Sequence, residues 1–274
     1  HNMYQALKNS LFEQDRHRYR EIQKCVTTFN SMFNGNNIIQ DDVFHIMENY
    51  VRKHDIPFEL LRYGISDQEF CACTFIREKR LFVLVNTAIP MAKQIFAAAH
   101  ELYHIYRFID DDDSGLSERG SILNATTIDE TTTVMEDMEA NAFAGSLLAP
   151  ADRIDEQMRI YGVKHGSIDL QGILMLMEIF AIPYKAMVLR LFEEEIISEN
   201  QARDFFLVPQ SEIVEQVELT GKASRWLQIP KIPIRMSSLM EEMKTAEKLE
   251  SVREERMKDD FDHIQHIKEL ISDK

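Results

Sequence analysis

The 274-residue chain is 45% hydrophobic, enough for one large domain or two small ones, and carries a formal net charge of −15 at pH 7. The charge is spread widely with no basic cluster, which disfavours direct contact with nucleic acid or with an anionic membrane surface. No apolar run approaches the ~20 residues of a bilayer span, and the first residues hold no signal-peptide core, so the cytoplasm is the expected compartment.

His1-Asn2 ahead of Met3 is set aside as an expression remnant. Leu7, Leu11, Tyr19, Ile22, Val26, Phe29 and Phe33 recur at helical spacing up to the break at Asn34-Gly35-Asn36-Asn37, and a further helix is predicted from Asp41 to Lys53. Residues 3–54 are thus expected as an amino-terminal helical segment. Phe70–Ile76 and Leu81–Asn86 are rich in β-formers, with the charged Arg77–Arg80 as a hairpin tip. Cys25, Cys71 and Cys73 are odd in number and poorly spaced for disulfides; Cys71 and Cys73 would share one face of a strand as small buried residues.

Pro90 then starts a helix, Met91 onward, that contains His100-Glu101-Leu102-Tyr103-His104, an HExxH motif. Residues four apart project from one face of a helix, so both imidazoles can reach one ion. Zinc takes neutral imidazole nitrogen and, at a catalytic site, keeps a position open for water. Glu101, about 100° further round, is placed to accept a proton from that water. Apolar residues on several sides of this helix, from Phe96 to Phe108, mean that two imidazoles and a carboxylate need partners there.

Polar sequence follows from Asp110 to about Thr133 and reads as a solvated loop; its run of aspartates lacks the ligand spacing of an EF-hand. A helix from Val134 to Leu148 is the place to look for a third ligand. Asp137 and Asn141 share a face, so Asp137 can bind the metal while Asn141 orients a ligating imidazole. Glu139 and Glu136, about 200° and 100° from Asp137, are alternatives if the helix is turned. Two helices are predicted between Leu170 and Phe192, an irregular stretch from Leu207 to Ile234 around Pro209, Pro230 and Pro233, and a charged tail from Ser237 with an intermittent apolar stripe.

Ala99-His-Glu-Leu-Tyr-His104, Glu139-Ala-Asn-Ala-Phe-Ala144 and Leu147-Leu-Ala-Pro150 together resemble the ImmA/IrrE family of metallopeptidases. Val85-Asn86, Phe96 and Leu176–Pro183 through Arg190-Leu191 also fit, and the resemblance covers roughly residues 55 to 195. It implies a zincin-like, mostly helical metallopeptidase core with a small sheet, placed over residues 55–200. With the predicted hairpin, the expected fold class is α+β with a small antiparallel sheet. A helical carboxy-terminal extension over 201–274, which the resemblance does not explain, is expected from the pattern alone. The family takes a gluzincin-like Glu as third ligand four residues before the Asn or Asp of its second motif; here that position is Asp137, one methylene shorter. By resemblance, Zn2+ on His100, His104 and Asp137 with Glu101 as general base would hydrolyse a peptide bond in a protein partner, a helix-turn-helix repressor. Oxyanion donors are sought among Tyr161, His165 and Tyr184, and Tyr103 is read as core. The competing expectation is a non-catalytic zincin-fold module that regulates a partner by contact.

Overall fold

The computed structural model describes residues 4–33, 38–65, 67–110, 119–129, 132–220 and 224–229. Helices α1 (Tyr4–Lys8), α2 (Leu11–Gln14), α3 (Arg16–Phe33) and α4 (Val43–Lys53) come first. The stripe Tyr19, Ile22, Val26 and Phe29 is the buried face of α3, as its spacing requires.

Four strands follow: β1 (Phe58–Tyr63), β2 (Phe70–Arg77), β3 (Arg80–Asn86) and, after the HExxH helix, β4 (Arg119–Asn124). They lie in the order β1-β3-β2-β4. The sheet is mixed rather than antiparallel, because β1 pairs parallel with β3. The chain reverses after β1 and again in the β2–β3 hairpin, and β3 inserts between the two earlier strands. Two reversals restore the original direction. Glu78 and Lys79, at φ 50° and 60°, make the two-residue turn, whose backbone twist suits a hairpin even without glycine. Buried Asn86 locks the end of β3: its Oδ1 accepts from the N–H groups of Ile65 (2.8 Å) and Ala88 (2.9 Å), and its Nδ2 donates to the carbonyls of Asp67 (3.1 Å) and Phe70 (2.8 Å). All its hydrogen-bonding capacity is spent on the turn that launches the next helix.

A bulge between Phe70 and Ala72 breaks the alternation of β2. Cys71 therefore joins the main core, whereas Cys73 packs with Ile65, Phe70 and Leu84 in a separate cluster. Both thiols are buried, but they do not share a face. The extra residue overrides the period of two.

Helix α5 (Met91–Asp110) packs on β2 and on α7 (Met135–Leu148). Fully buried Ala97, Ala98 and Ala99 permit the close approach. Between them, β4 and α6 (Ala125–Asp129) occupy part of the stretch that sequence assigns to a loop. β4 is short, polar and at the sheet edge, so its pattern is weak; a Cβ at Gly120 would come within 3.0 Å of the Thr74 carbonyl, so glycine fits the approach to β2. Residues 111–118, including Asp111, Asp112 and Asp113, lie outside the described residues.

Then come α8 (Ala151–Ile160), α9 (Leu170–Phe180), α10 (Tyr184–Glu193), α11 (Glu199–Leu207), α12 (Gln210–Thr220) and α13 (Ser224–Leu227). Helix α12 replaces the expected irregularity after Leu207. Pro209 stands just before its first residue, where no N–H is needed, and buried Ile213 and Val217 fall four apart. The apolar tail stripe beyond Ser237 lies outside the described residues. Among the described residues no single helix is long and apolar enough to cross a membrane; the apolar pair α9 and α10 is bent by 102°.

One continuous core runs from Leu7 to Trp226. The helices of the expected amino-terminal segment contribute to it. Fully buried Arg190 on α10 shows why: it donates to the Ala149 carbonyl from Nε and Nη2 (3.1 Å each), to Tyr19 Oη (2.9 Å) and to Glu193 (2.9 Å), tying α3, the end of α7 and α10 together.

Candidate metal centre

Helices α5 and α7 carry the site on facing surfaces. His100 and His104, one turn apart on α5, bring their Nε2 atoms to 3.0 Å. Asp137, in the first turn of α7, places Oδ1 3.6 Å from His100 Nε2 and 3.5 Å from His104 Nε2. The imidazoles are 1% and 2% exposed and the Asp137 side chain 19%, so the cluster is reached from solvent on the carboxylate side.

The tautomers follow from the outer ring nitrogens. Asn141 Nδ2 donates to the Thr127 carbonyl at 3.0 Å, which fixes the amide so that Oδ1 faces His100 Nδ1 at 2.8 Å. An amide oxygen only accepts, so Nδ1 carries a proton and the neutral imidazole would offer its Nε2 lone pair to the site. His104 Nδ1 faces Glu136 Oε1 at 3.0 Å, so it too donates outward and turns Nε2 to the site. Two bare nitrogen lone pairs 3.0 Å apart repel unless a cation or a proton lies between them. Ligands at ~2.0–2.1 Å around a tetrahedral zinc are roughly 3.3 Å from one another. The observed separations bracket that value, so this donor set fits the ion.

Electrostatics point the same way. Burial alone would lower the His104 imidazole, but Asp137 and Glu136 beside it, with the charge of Glu101, outweigh this and push it up to about 10. Burial would raise the Asp137 carboxyl, yet its contacts with His100 and His104 hold it well below the usual carboxylate range. Its hydrogen bond to His104 likewise lowers Glu136. The pocket is poised to hold positive charge.

Glu101 is fully buried beside this cluster. Its Oε2 accepts from the hydroxyls of Thr74 and of Ser121 (3.0 Å), whereas its Oε1 is buried without a hydrogen-bond partner among the described residues. An orphaned buried carboxylate oxygen is costly unless something not yet bound pairs with it.

Asp137 is thus the α7 carboxylate that groups with the two imidazoles. Glu136 lies on the outer side of His104 instead. Glu139 faces elsewhere: Arg18 Nε and Nη2 donate to it at 2.8 and 3.1 Å, and the Tyr103 hydroxyl donates to the same carboxylate. This clamp makes Tyr103 a core residue and joins α3, α5 and α7. The oxyanion candidates go elsewhere too. The Tyr184 hydroxyl donates to the Phe205 carbonyl, His165 pairs with Asp155, and Tyr161 is exposed. None of the three lines the cleft of about 580 Å³ beside His104 and Asp137, whose walls include Arg107, Phe108 and residues 120–122 of β4.

Sequence reasoning does not find Thr74, Ser121 or Arg18. Thr74 had a faint signal, as the hydroxyl within the apolar run Phe70–Ile76; Ser121 and Arg18 had none, because their partners are distant in sequence. No protein-family model matches this chain, and neither does any curated protein sequence.

Proposed function

We propose that the chain is a zinc-dependent endopeptidase of zincin type, akin to the ImmA/IrrE metallopeptidases, with a protein substrate that by resemblance is a helix-turn-helix transcriptional repressor. One observation carries the reading: two imidazoles whose outer Nδ1 atoms are held by Asn141 and Glu136 turn their Nε2 atoms together with Asp137, beside a buried carboxylate with one oxygen unpaired among the described residues. His100, His104 and Asp137 would hold the ion. When bound, zinc supplies a Lewis acid that polarises a carbonyl and brings the pKa of water towards neutrality. Glu101 Oε1 accepts the proton of the attacking water and passes it to the leaving amine. Asn141 and Glu136 hold the imidazoles in the ligating tautomer. An extended segment of another protein would lie in the cleft along α5, β4 and the start of α7, beside His104 and Asp137.

A contact-only module has no use for the arrangement of Glu101. Such a module would be expected to fill a buried position with a paired or apolar side chain. The test has two steps. Elemental analysis is expected to find near-stoichiometric zinc in the wild type and little in His104→Ala; a wild type that takes up no zinc when supplied with it overturns the reading. Incubation with a co-purified or genetically neighbouring repressor is expected to yield a defined cut with the wild type and none with Glu101→Gln, although that variant keeps its zinc. Equal cutting by both would make Glu101 a bystander.

A further inference from the structure

We infer that Thr74 and Ser121 are positioning residues that fix the Glu101 carboxylate for proton transfer. The inference rests on the peptidase reading above and extends it to side chains outside both sequence motifs.

The two residues stand directly opposite one another in the β2–β4 ladder, on the sheet face that meets α5. Both hydroxyls donate to the same oxygen, Glu101 Oε2, one from a central strand and one from the edge strand. Thr74 is fully buried, with Ala72 and Ile76 as its same-face neighbours on the strand. Valine has the same shape and would pack there without a polar atom to satisfy. The hydroxyl is therefore not a packing requirement, and its partner is Glu101.

The arrangement is lopsided. One carboxylate oxygen receives both donors while the other, also buried, receives none among the described residues. Hydrogen bonds to a charged acceptor are short and directional, so two of them set the plane and rotamer of the side chain. The free oxygen is then held at a fixed place without being occupied. A general base works only within hydrogen-bond reach of its proton, and misplacement by about 1 Å is expensive. Pinning Oε2 achieves that placement and leaves Oε1 available.

The test begins in chelator-treated, metal-free protein, where neither zinc nor substrate matters. Thr74→Val and Ser121→Ala are each expected to lower the melting temperature by about 5 °C, from loss of a hydrogen bond to a carboxylate. In a Glu101→Met background the same changes should cost less than half as much. Equal losses in both backgrounds overturn the inference. The second arm uses zinc-loaded protein and acetohydroxamate, a small zinc-chelating probe whose acidic proton the neighbouring carboxylate accepts. Thr74→Val is expected to keep its zinc but bind the probe about tenfold more weakly, with Thr74→Ser within about twofold of wild type. A structural role alone would not give this pattern of loss and rescue. Unchanged probe affinity in a zinc-replete Thr74→Val overturns the inference while leaving the peptidase reading intact. A wild type that binds no zinc overturns both, and is recognised as a failure of the metal site because it appears before any variant is made. Should Thr74→Val not fold, Ser121→Ala on the exposed-edge strand and Thr74→Ser carry the same comparison.

Discussion

Asn141 shows how much of a metal site can depend on a side chain that never touches the ion. Its amide is oriented by the Thr127 carbonyl, and it in turn dictates which nitrogen of His100 is bare. Asn141→Leu is expected to preserve the fold yet weaken zinc binding about 10–100-fold, read by competition with a chromophoric chelator. Protons compete for the same nitrogens. His104 is held up to about 10 in the metal-free protein, so below that pH it carries a proton that an incoming ion must displace. Zinc affinity should therefore rise with pH through the neutral range and level off as His104 deprotonates unaided. Calorimetry in buffers of differing ionisation enthalpy is expected to report release of about one proton per zinc at pH 7; none released would refute the assignment. HExxH was readable because helical geometry alone joins residues four apart. The third ligand was not fixed by sequence, since Asp137, Glu136 and Glu139 all sit on one short helix and only the rotation of α7 against α5 separates them. Arg18 and Tyr103 set that rotation by holding Glu139, a contact across the chain that no local pattern encodes.

At the scale of elements, the approach of α7 and α10 turns on Gly145. A Cβ there would come within 2.9 Å of Arg190 Cδ. Gly→Ala inside a helix normally stabilises by ~0.5–1 kcal/mol, but overpacking costs ~1–3 kcal/mol. Arg190 cannot give way cheaply, because its guanidinium is committed to Ala149, Tyr19 and Glu193. The clash should win, so Gly145→Ala is expected to destabilise by about 1–2 kcal/mol in denaturant titration. A gain in stability would mean that Arg190 repacks freely. The periodic helices α3 and α4 were legible from spacing, and α5 and α7 from their apolar runs and motifs, as was the β2–β3 hairpin. The strands β1 and β4 were not. Phe58–Tyr63 lacks clean alternation because it is half-buried along its length, and Arg119–Asn124 hides in a polar stretch.

For the whole molecule, the amino-terminal segment expected over 3–54 packs into the same core as the residues that carry the candidate site. Residues from Leu7 to Trp226 share one core, and the charged contacts Arg18–Glu139 and Tyr19–Arg190 cross the supposed boundary. A fragment spanning 55–200 would expose the apolar surfaces of α5 and α7 that α4 and α3 cover, and would take Arg18 away from Glu139 and Tyr19 away from Arg190. It is expected to show little near-ultraviolet dichroism and no zinc uptake; a folded, zinc-binding fragment would restore the partition. Composition could not reveal this, because the amino-terminal helices look amphipathic whether they cover their own domain or another.

The bulge in β2 has a consequence for redox chemistry. One surplus residue sends Cys71 into the main core and leaves Cys73 in the smaller cluster with Leu84. Thiols two apart in sequence are thereby denied each other as partners for a vicinal bridge. Burial also pushes Cys71 up to about 12 and raises Cys73 further, so neither offers the thiolate on which oxidants act. An oxidising medium would reach both sulfurs only after the sheet itself had opened.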